Sequence, residues 1–245
     1  MKTRRLSLLL LTLLLLSGCA ATAPQGKAKY ALADFEPPGK ERPLDVADPI
    51  EPANKELYRF NYYFDRYLFL PVVNGYEYVM PDYAEQRVSN FFDNLGEFGN
   101  FTNAVLQLKP KSAGITLSRF LINTTVGIGG LWDPASNWNL QRQDEDFGQT
   151  LGRYGAGNGP YVVLPILGPS NARDTTGLIA DTAISSAVDP LNFDHNEELA
   201  IPYQAGRAID TRHRQPFRYY KSGSPFEYEL VRLLYTEKRK LQIAK

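Results

Sequence analysis

A chain of 245 residues with 27 basic and 27 acidic side chains, two histidines and one cysteine excludes several kinds of protein at once. It offers no basic surface for nucleic acid and no intramolecular disulfide, and its histidines cannot complete a zinc site without carboxylates. Its positive mark is aromatic: 15 Tyr, 13 Phe and 2 Trp.

Lys2, Arg4 and Arg5 precede an apolar run from Leu6 to Leu16 broken only by Ser7 and Thr12. At ~1.5 Å per residue it falls short of a bilayer core of ~30 Å, so residues 1–18 read as a signal peptide. The run closes on Leu16-Ser17-Gly18-Cys19, which resembles the lipobox of bacterial lipoprotein precursors. Cleavage before Cys19 would free it for a diacylglycerol and an N-terminal acyl chain. Several chains at ~0.8 kcal/mol per buried methylene make a lasting anchor. An ordinary signal peptide with a chance cysteine is the other reading. Three of the 27 basic residues leave with the leader, so 24 face 27 acids in the mature chain, a net charge of −3. The Pro/Lys/Glu-rich segment 19–45 reads as a flexible tether, and 46–245 as one domain.

Asp48 has the form of an N-cap with Pro49 at the first helical position. Ile50, Ala53, Leu57, Phe60, Phe64 and Leu68 then make an apolar stripe down a helix that Pro71 should end. A second stripe, Val88 to Leu108, opposes a face of Asn90, Asp93, Asn94, Glu97, Asn100, Asn103 and Gln107. That face is polar with few charges, unlike the Lys/Glu-laced outside of a soluble helix. Gly96 and Gly99 should break or bend it. Pro110 opens a helix in which, from Ala113 to Trp132, Arg119 is the one charge. It is too polar for a lipid-exposed span. Gly127 to Pro134 follows, a glycine-rich loop that keeps large apolar side chains.

The central stretch is Gln143 to Asp174. Asp144, Glu145 and Asp146 suit a helix start; a carboxylate pair or calcium site is the alternative. Gly152, Gly155, Gly157 and Gly159 end that helix. Four glycines in eight residues suggest a phosphate cradle, but they follow a helix where a nucleotide fingerprint follows a strand. Pro160 restarts the chain into one extended segment, Tyr161 to Leu167, and Gly168-Pro169-Ser170 turns it into a helix from Ala172 to Ala187. Arg173-Asp174 reads either as a lipid-phosphate contact or as a buried ion pair. Asn196 to Tyr220 should be helical with an interruption at Ile201-Pro202. Ser224-Pro225-Phe226-Glu227 has the form of a capping box before a last amphipathic helix with a basic end.

The stretch from Gly152 and Tyr154 through Gly155, Gly159, Pro160 and Pro165 to Arg173-Asp174 resembles the MlaA/VacJ family of outer-membrane lipoproteins. Asp48-Pro49-Ile50-Glu51 with Asn54 and Phe60-Asn61, Ser89 to Leu95, and Arg119 to Leu131 match the family in order. The likeness covers about residues 45 to 190. It implies a mainly α fold, a ring-like body of amphipathic helices embedded in the inner, periplasm-facing leaflet of the outer membrane. It also implies association with a trimeric porin, extraction of mislocalised phospholipid through an amphipathic channel, and delivery to a soluble periplasmic carrier.

Phe60, Asn61, Asn94, Asn100, Asn103, Gly127, Gly129, Gly130 and Leu131 are the residues expected at a lipid channel. Amide side chains hydrogen-bond a headgroup without trapping isolated charge, which costs several kcal/mol to bury. An enzyme is the weaker reading. His195 and His213 stand far from any nucleophile signature, no Gly-x-Ser-x-Gly elbow occurs, and no metal or other cofactor is expected. A structural lipoprotein that braces porins or the cell envelope without moving lipid is the second reading, ahead of the enzyme.

Overall fold

The computed structural model describes residues 46–188, Asn196 and residues 198–245. The leader, Cys19, the tether and His195 lie outside the described residues. Within them the chain is mainly helical with a single two-stranded sheet.

Helix α1 (Glu51–Phe64) passes through a π-helical turn (Asp65–Phe69) into α2 (Leu70–Val79). Pro71 therefore does not end the helix; it sits in the first turn of α2. The wider turn ahead of it already steps its hydrogen bonds by five, with the Leu70 N–H on the Asp65 carbonyl, and so absorbs the missing proline donor. Asp48 is not the cap either. Its carboxylate accepts from Asn54, Tyr228 and Arg232 instead.

Helix α3 (Asp82–Leu106) runs unbroken through Gly96 and Gly99, against expectation, and α4 (Pro110–Thr125) packs along it. The tertiary contacts on both sides of α3 outweigh the weak helix propensity of two glycines. A single turn, α5 (Pro134–Asn137), and a short helix, α6 (Phe147–Arg153), lead to strand β1 (Tyr161–Leu164).

β1 pairs antiparallel with β2 (Gly168–Asn171) in the register Tyr161 to Asn171 and Leu164 to Gly168. The extended segment is thus a hairpin. Its second strand, Gly-Pro-Ser-Asn, carries no β-branched or aromatic residue and reads as a turn from sequence. Helix α7 (Ala172–Val188) follows directly. In α8 (Ala200–His213) Ile201-Pro202 lies in the first turn and interrupts nothing, because proline needs no N–H there. The last helix, α9, runs Glu227–Ala244. Ser224 does not cap it; Glu227 turns its carboxylate to Tyr58, Tyr220 and Ser222.

The polarity of this body is reversed. The polar face of α3 is the buried one: Glu97 is 1% exposed, and Asn94, Asn100, Asn103 and Gln107 are buried beside it. On α4, Thr116, Arg119 and Asn123 are buried while Leu117 and Leu121 face outward. Tyr78, Ile201 and Leu108 stand 92%, 78% and 76% exposed. A small cluster of Tyr58, Tyr161, Val163 and Tyr228 is apolar and buried, as are Val73, Ala104, Ala113 and Ala135. No helix among the described residues is long and apolar enough to cross a membrane.

Candidate functional site

Two of the buried charge networks among the described residues frame the site. The first joins the glycine-rich central stretch to α9. Asp146 caps α6 by accepting from the Gln149 N–H, and Arg239 bridges Asp146 and Asp174 at 2.7 to 3.0 Å. Arg173 pairs with Asp174 at 2.8 Å and donates to Asn158, so this arginine takes the ion-pair role. Burial pushes the Asp174 carboxyl up, but hydrogen bonds from Arg239, Tyr235 and Arg173 overcome it and leave the group below the usual carboxylate value. Asp146 is lowered in the same way. Glycine is obligatory where these elements cross. A Cβ on Gly148 would lie 2.5 Å from Asp174 Oδ1, and one on Gly177 would lie 2.3 Å from the Gly148 nitrogen.

The second network lies under the loop from Gly127 to Asp133. Arg119 donates to Glu97 at 2.7 Å, to Asp133 at 3.0 Å and to the Leu140 carbonyl at 2.6 Å. Asn123 donates to Asp133 and accepts the Ala135 N–H. Burial raises Glu97 above its ordinary value despite the Arg119 contact. The loop rests on this base. Gly130 packs against Asn94 where a Cβ would sit at 2.7 Å, and Asn90 donates to the Leu131 carbonyl. Gly129 and Ile128 both have positive φ. For a β-branched residue that is strained, and Ile128 holds it with its side chain exposed.

Between α3, α7 and α8 lies a cleft of about 310 Å³. Phe92, Leu95, Phe98, Leu178, Ile184 and Val188 make its apolar wall; Asn100, Arg142, Asp181 and Arg207 supply the polar part. Gly96 and Gly99 line it too, which gives the two unexpected glycines of α3 a purpose: they leave the space open. Arg142 is matched by Asp93 and by Asp144. Arg207 has no carboxylate partner among the described residues. Burial raises the Asp181 carboxyl, although the Phe147 N–H and Asn103 donate to it. An apolar wall with arginines at its polar end suits an amphiphile with an anionic end.

The residues expected at a channel divide. Asn100 lines the cleft. Asn103 spends its amide on Asp181 and Thr150, and Asn94 donates to Thr124 while its carbonyl oxygen is buried without a partner. Asn61 is buried against the hairpin, donating to the Leu164 carbonyl and accepting the Ile166 N–H. Phe60 points outward, as do Gly129 and Leu131, whereas Gly127 and Gly130 are buried. In the central stretch, the Tyr154 hydroxyl donates to the Leu106 carbonyl. Gly155 and Gly159 take positive φ and Gly152 abuts Ile243. Pro160 accepts the Ala172 N–H, and Pro165 opens the hairpin turn. His213 contacts Glu77 and Glu85. The charged partners Glu97, Asp133, Arg232 and Arg239 were not anticipated as such. The available signal was Arg119, a lone charge in a long uncharged stretch.

The MlaA lipoprotein family matches residues 46–242. An intermembrane phospholipid transport system lipoprotein of Escherichia coli is 36% identical over 181 residues, 72% of this chain and 65% of that protein. An uncharacterized protein of Rickettsia prowazekii is 42% identical over 156 residues, 63% of this chain and 61% of its own length. These alignments thus span less than two thirds of either relative. A solved chain, from work on the structural basis for maintenance of bacterial outer membrane lipid asymmetry, aligns with a TM-score of 0.64 at 30% identity. It covers 81% of this chain and 100% of its own.

Proposed function

This chain belongs to the MlaA lipoprotein family, and from that premise we propose that it removes mislocalised phospholipid from the outer leaflet of the outer membrane. The reversed polarity carries the reading: apolar side chains outside and a polar, hydrogen-bonded interior suit a body set among acyl chains. In this reading Cys19 carries the diacylglycerol and acyl chain that anchor the protein to the periplasmic leaflet. The helices form a ring beside a trimeric porin, and the lipid leaves through an amphipathic passage to a soluble periplasmic carrier. The cleft beside Asn100 and Arg207 belongs to that passage. The protein moves lipid and does not cleave it.

The test is the outer-leaflet phospholipid content of cells lacking the protein, complemented with wild type or Cys19→Ala. Surface phospholipid that rises on deletion and is cleared only by the wild-type form, without lysolipid or free fatty acid, is the expected result. An unchanged outer leaflet overturns the reading and leaves a porin-bracing role. Released lysolipid would make the protein an enzyme.

A further inference from the structure

Arg87 stands on α3 with its guanidinium carbon 4.7 Å from the ring centre of Tyr83, one helical turn earlier. The same carbon lies 5.2 Å from the ring of Trp132 at the end of the glycine-rich loop. Aromatic faces hold a flat cation in place, but they do not neutralise it. Its Nε is buried without a hydrogen-bond partner, and among the described residues no carboxylate pairs with it. Several acids near it are taken elsewhere: Glu85 faces His213, Asp93 holds Arg142 and Arg214, and Asp133 serves Arg119 and Asn123. Among the described residues no ion pair offsets the positive charge at Arg87.

The setting says what it would meet. Tyr83 is exposed and Trp132 partly so, and Val126 and Ile128, at the start of the loop that ends in Trp132, are exposed as well. Trp132 is fixed by its N–H on the Gly127 carbonyl at 3.0 Å, and the loop by Asn90 on the Leu131 carbonyl at 3.0 Å. A preset guanidinium edge bordered by exposed aliphatic and aromatic groups fits an anion that arrives with apolar chains attached. A free anion would gain nothing from that border. Tyr and Trp are also the side chains that favour the depth of lipid headgroups. Arg87 is not part of the cleft lining.

We infer that Arg87, clamped between Tyr83 and Trp132, docks the phosphate of a membrane glycerophospholipid whose chains lie against the exposed apolar side of the loop. The site requires only that this surface meets lipid; it stands whether or not the protein transports lipid.

The experiment uses the mature, full-length protein in detergent with Trp138→Phe, so that Trp132 is the one reporting tryptophan. Short-chain phosphatidylglycerol should change its fluorescence saturably. Arg87→Gln should weaken that binding about tenfold, as expected for the loss of a charge-assisted contact, with Arg87→Lys between the two. Diacylglycerol of the same chain length, which lacks the phosphate, should bind the wild-type site correspondingly less well, and inorganic phosphate should not reproduce the response. This wild-type comparison needs no Arg87 variant and so survives a folding failure. Equal binding by Arg87→Gln, or by diacylglycerol, overturns the inference. A full response to inorganic phosphate at the lipid's working concentration does so too, leaving a simple anion site. Failure of the outer-leaflet measurement in cells would leave these titrations untouched.

Discussion

Replacing Arg239 with leucine removes the cation that ties α6 and α7 to α9. Its Nε and Nη2 reach Asp174 at 2.8 and 3.0 Å, and its Nη1 and Nη2 reach Asp146 at 2.7 and 2.8 Å. The two carboxylates do not lose equally. Asp174 retains Arg173, Asn171 and Tyr235. Asp146 retains only Gln149, through its N–H and side-chain amide, but 38% of its side chain is open to solvent. Breaking a buried pair costs about 3–5 kcal/mol, and these residual partners put this case at the lower end, about 3 kcal/mol. For a domain of this size each kcal/mol moves Tm by about 2–4 °C, so the fall should be roughly 6–12 °C. Arg239→Lys, which keeps the charge but loses the fork, should lose about half as much. The measurement is thermal unfolding of the mature protein in detergent micelles, followed by far-ultraviolet circular dichroism. A double-mutant cycle with Asp146→Asn isolates that arm of the bridge. A fall of less than about 2 °C, under 1 kcal/mol, would mean that the carboxylates are satisfied without Arg239 and that the bridge does not hold the fold.

The crossing of α6 and α7 should tolerate no side chain: Gly177→Ala, meeting the Gly148 nitrogen at 2.3 Å, should abolish accumulation of folded protein. Gly157→Ala, with nothing within 4 Å, should stay within about 0.5 kcal/mol of wild type in the same melts. Asn54 and Asn61, two turns apart on α1, satisfy the hairpin through Val163 N–H and Ile166 N–H. Asn54→Ala should cost about 1–3 kcal/mol and speed amide exchange at Val163, with Asn61→Ala doing the same at Ile166. Acid should probe the first charge network. The folded values of Asp146 and Asp174 lie below the ordinary 3.8, so their contribution is complete above that pH. It is lost as pH falls through the lowered values. Glu97 and Asp181 are raised and act with the opposite sign, favouring the fold as they protonate. Asp146→Asn should therefore flatten the loss of stability below pH 3.8, and an unchanged acid limb would contradict the assignment.

Much of the helical framework was legible. The periodic stripes located α1, α3, α4 and α9, Pro110 marked the start of α4, and the acids before Phe147 marked the start of α6, where Asp146 is the cap. What failed was local punctuation. Pro71, Gly96, Gly99 and Pro202 all look like breaks, and all are absorbed. A π-helical turn covers Pro71, the first turn of α8 accommodates Pro202, and the α3 glycines face a cleft that needs the room. β2 was invisible because Gly168-Pro169-Ser170-Asn171 becomes a strand only through its partner, Tyr161–Leu164. The long-range charge partners were invisible too. Nothing near Arg239 in the chain points to Asp146, 93 residues away.

The deeper difficulty is that hydrophobic pattern reports which face of a helix differs from the other, not which face is inside. The stripe of Val88, Leu95, Val105 and Leu108 looks like a core seam under the rule for soluble proteins. The rule inverts when the surroundings are themselves apolar. One sequence feature distinguishes the two cases here, and it lies on the polar face. A solvated face is cheaply made of Lys and Glu, because water screens and hydrates each charge separately. A face built of Asn90, Asn94, Asn100, Asn103 and Gln107, with Asp93 and Glu97 as its full charges, is costly to explain in water and natural in an interior. There every donor must find an acceptor within the protein: Glu97 finds Arg119 and Asn100, and Asn103 finds Asp181 and Thr150. Amides can do both jobs, which is why the side opposite the apolar stripe, and not the stripe itself, tells where this body lives.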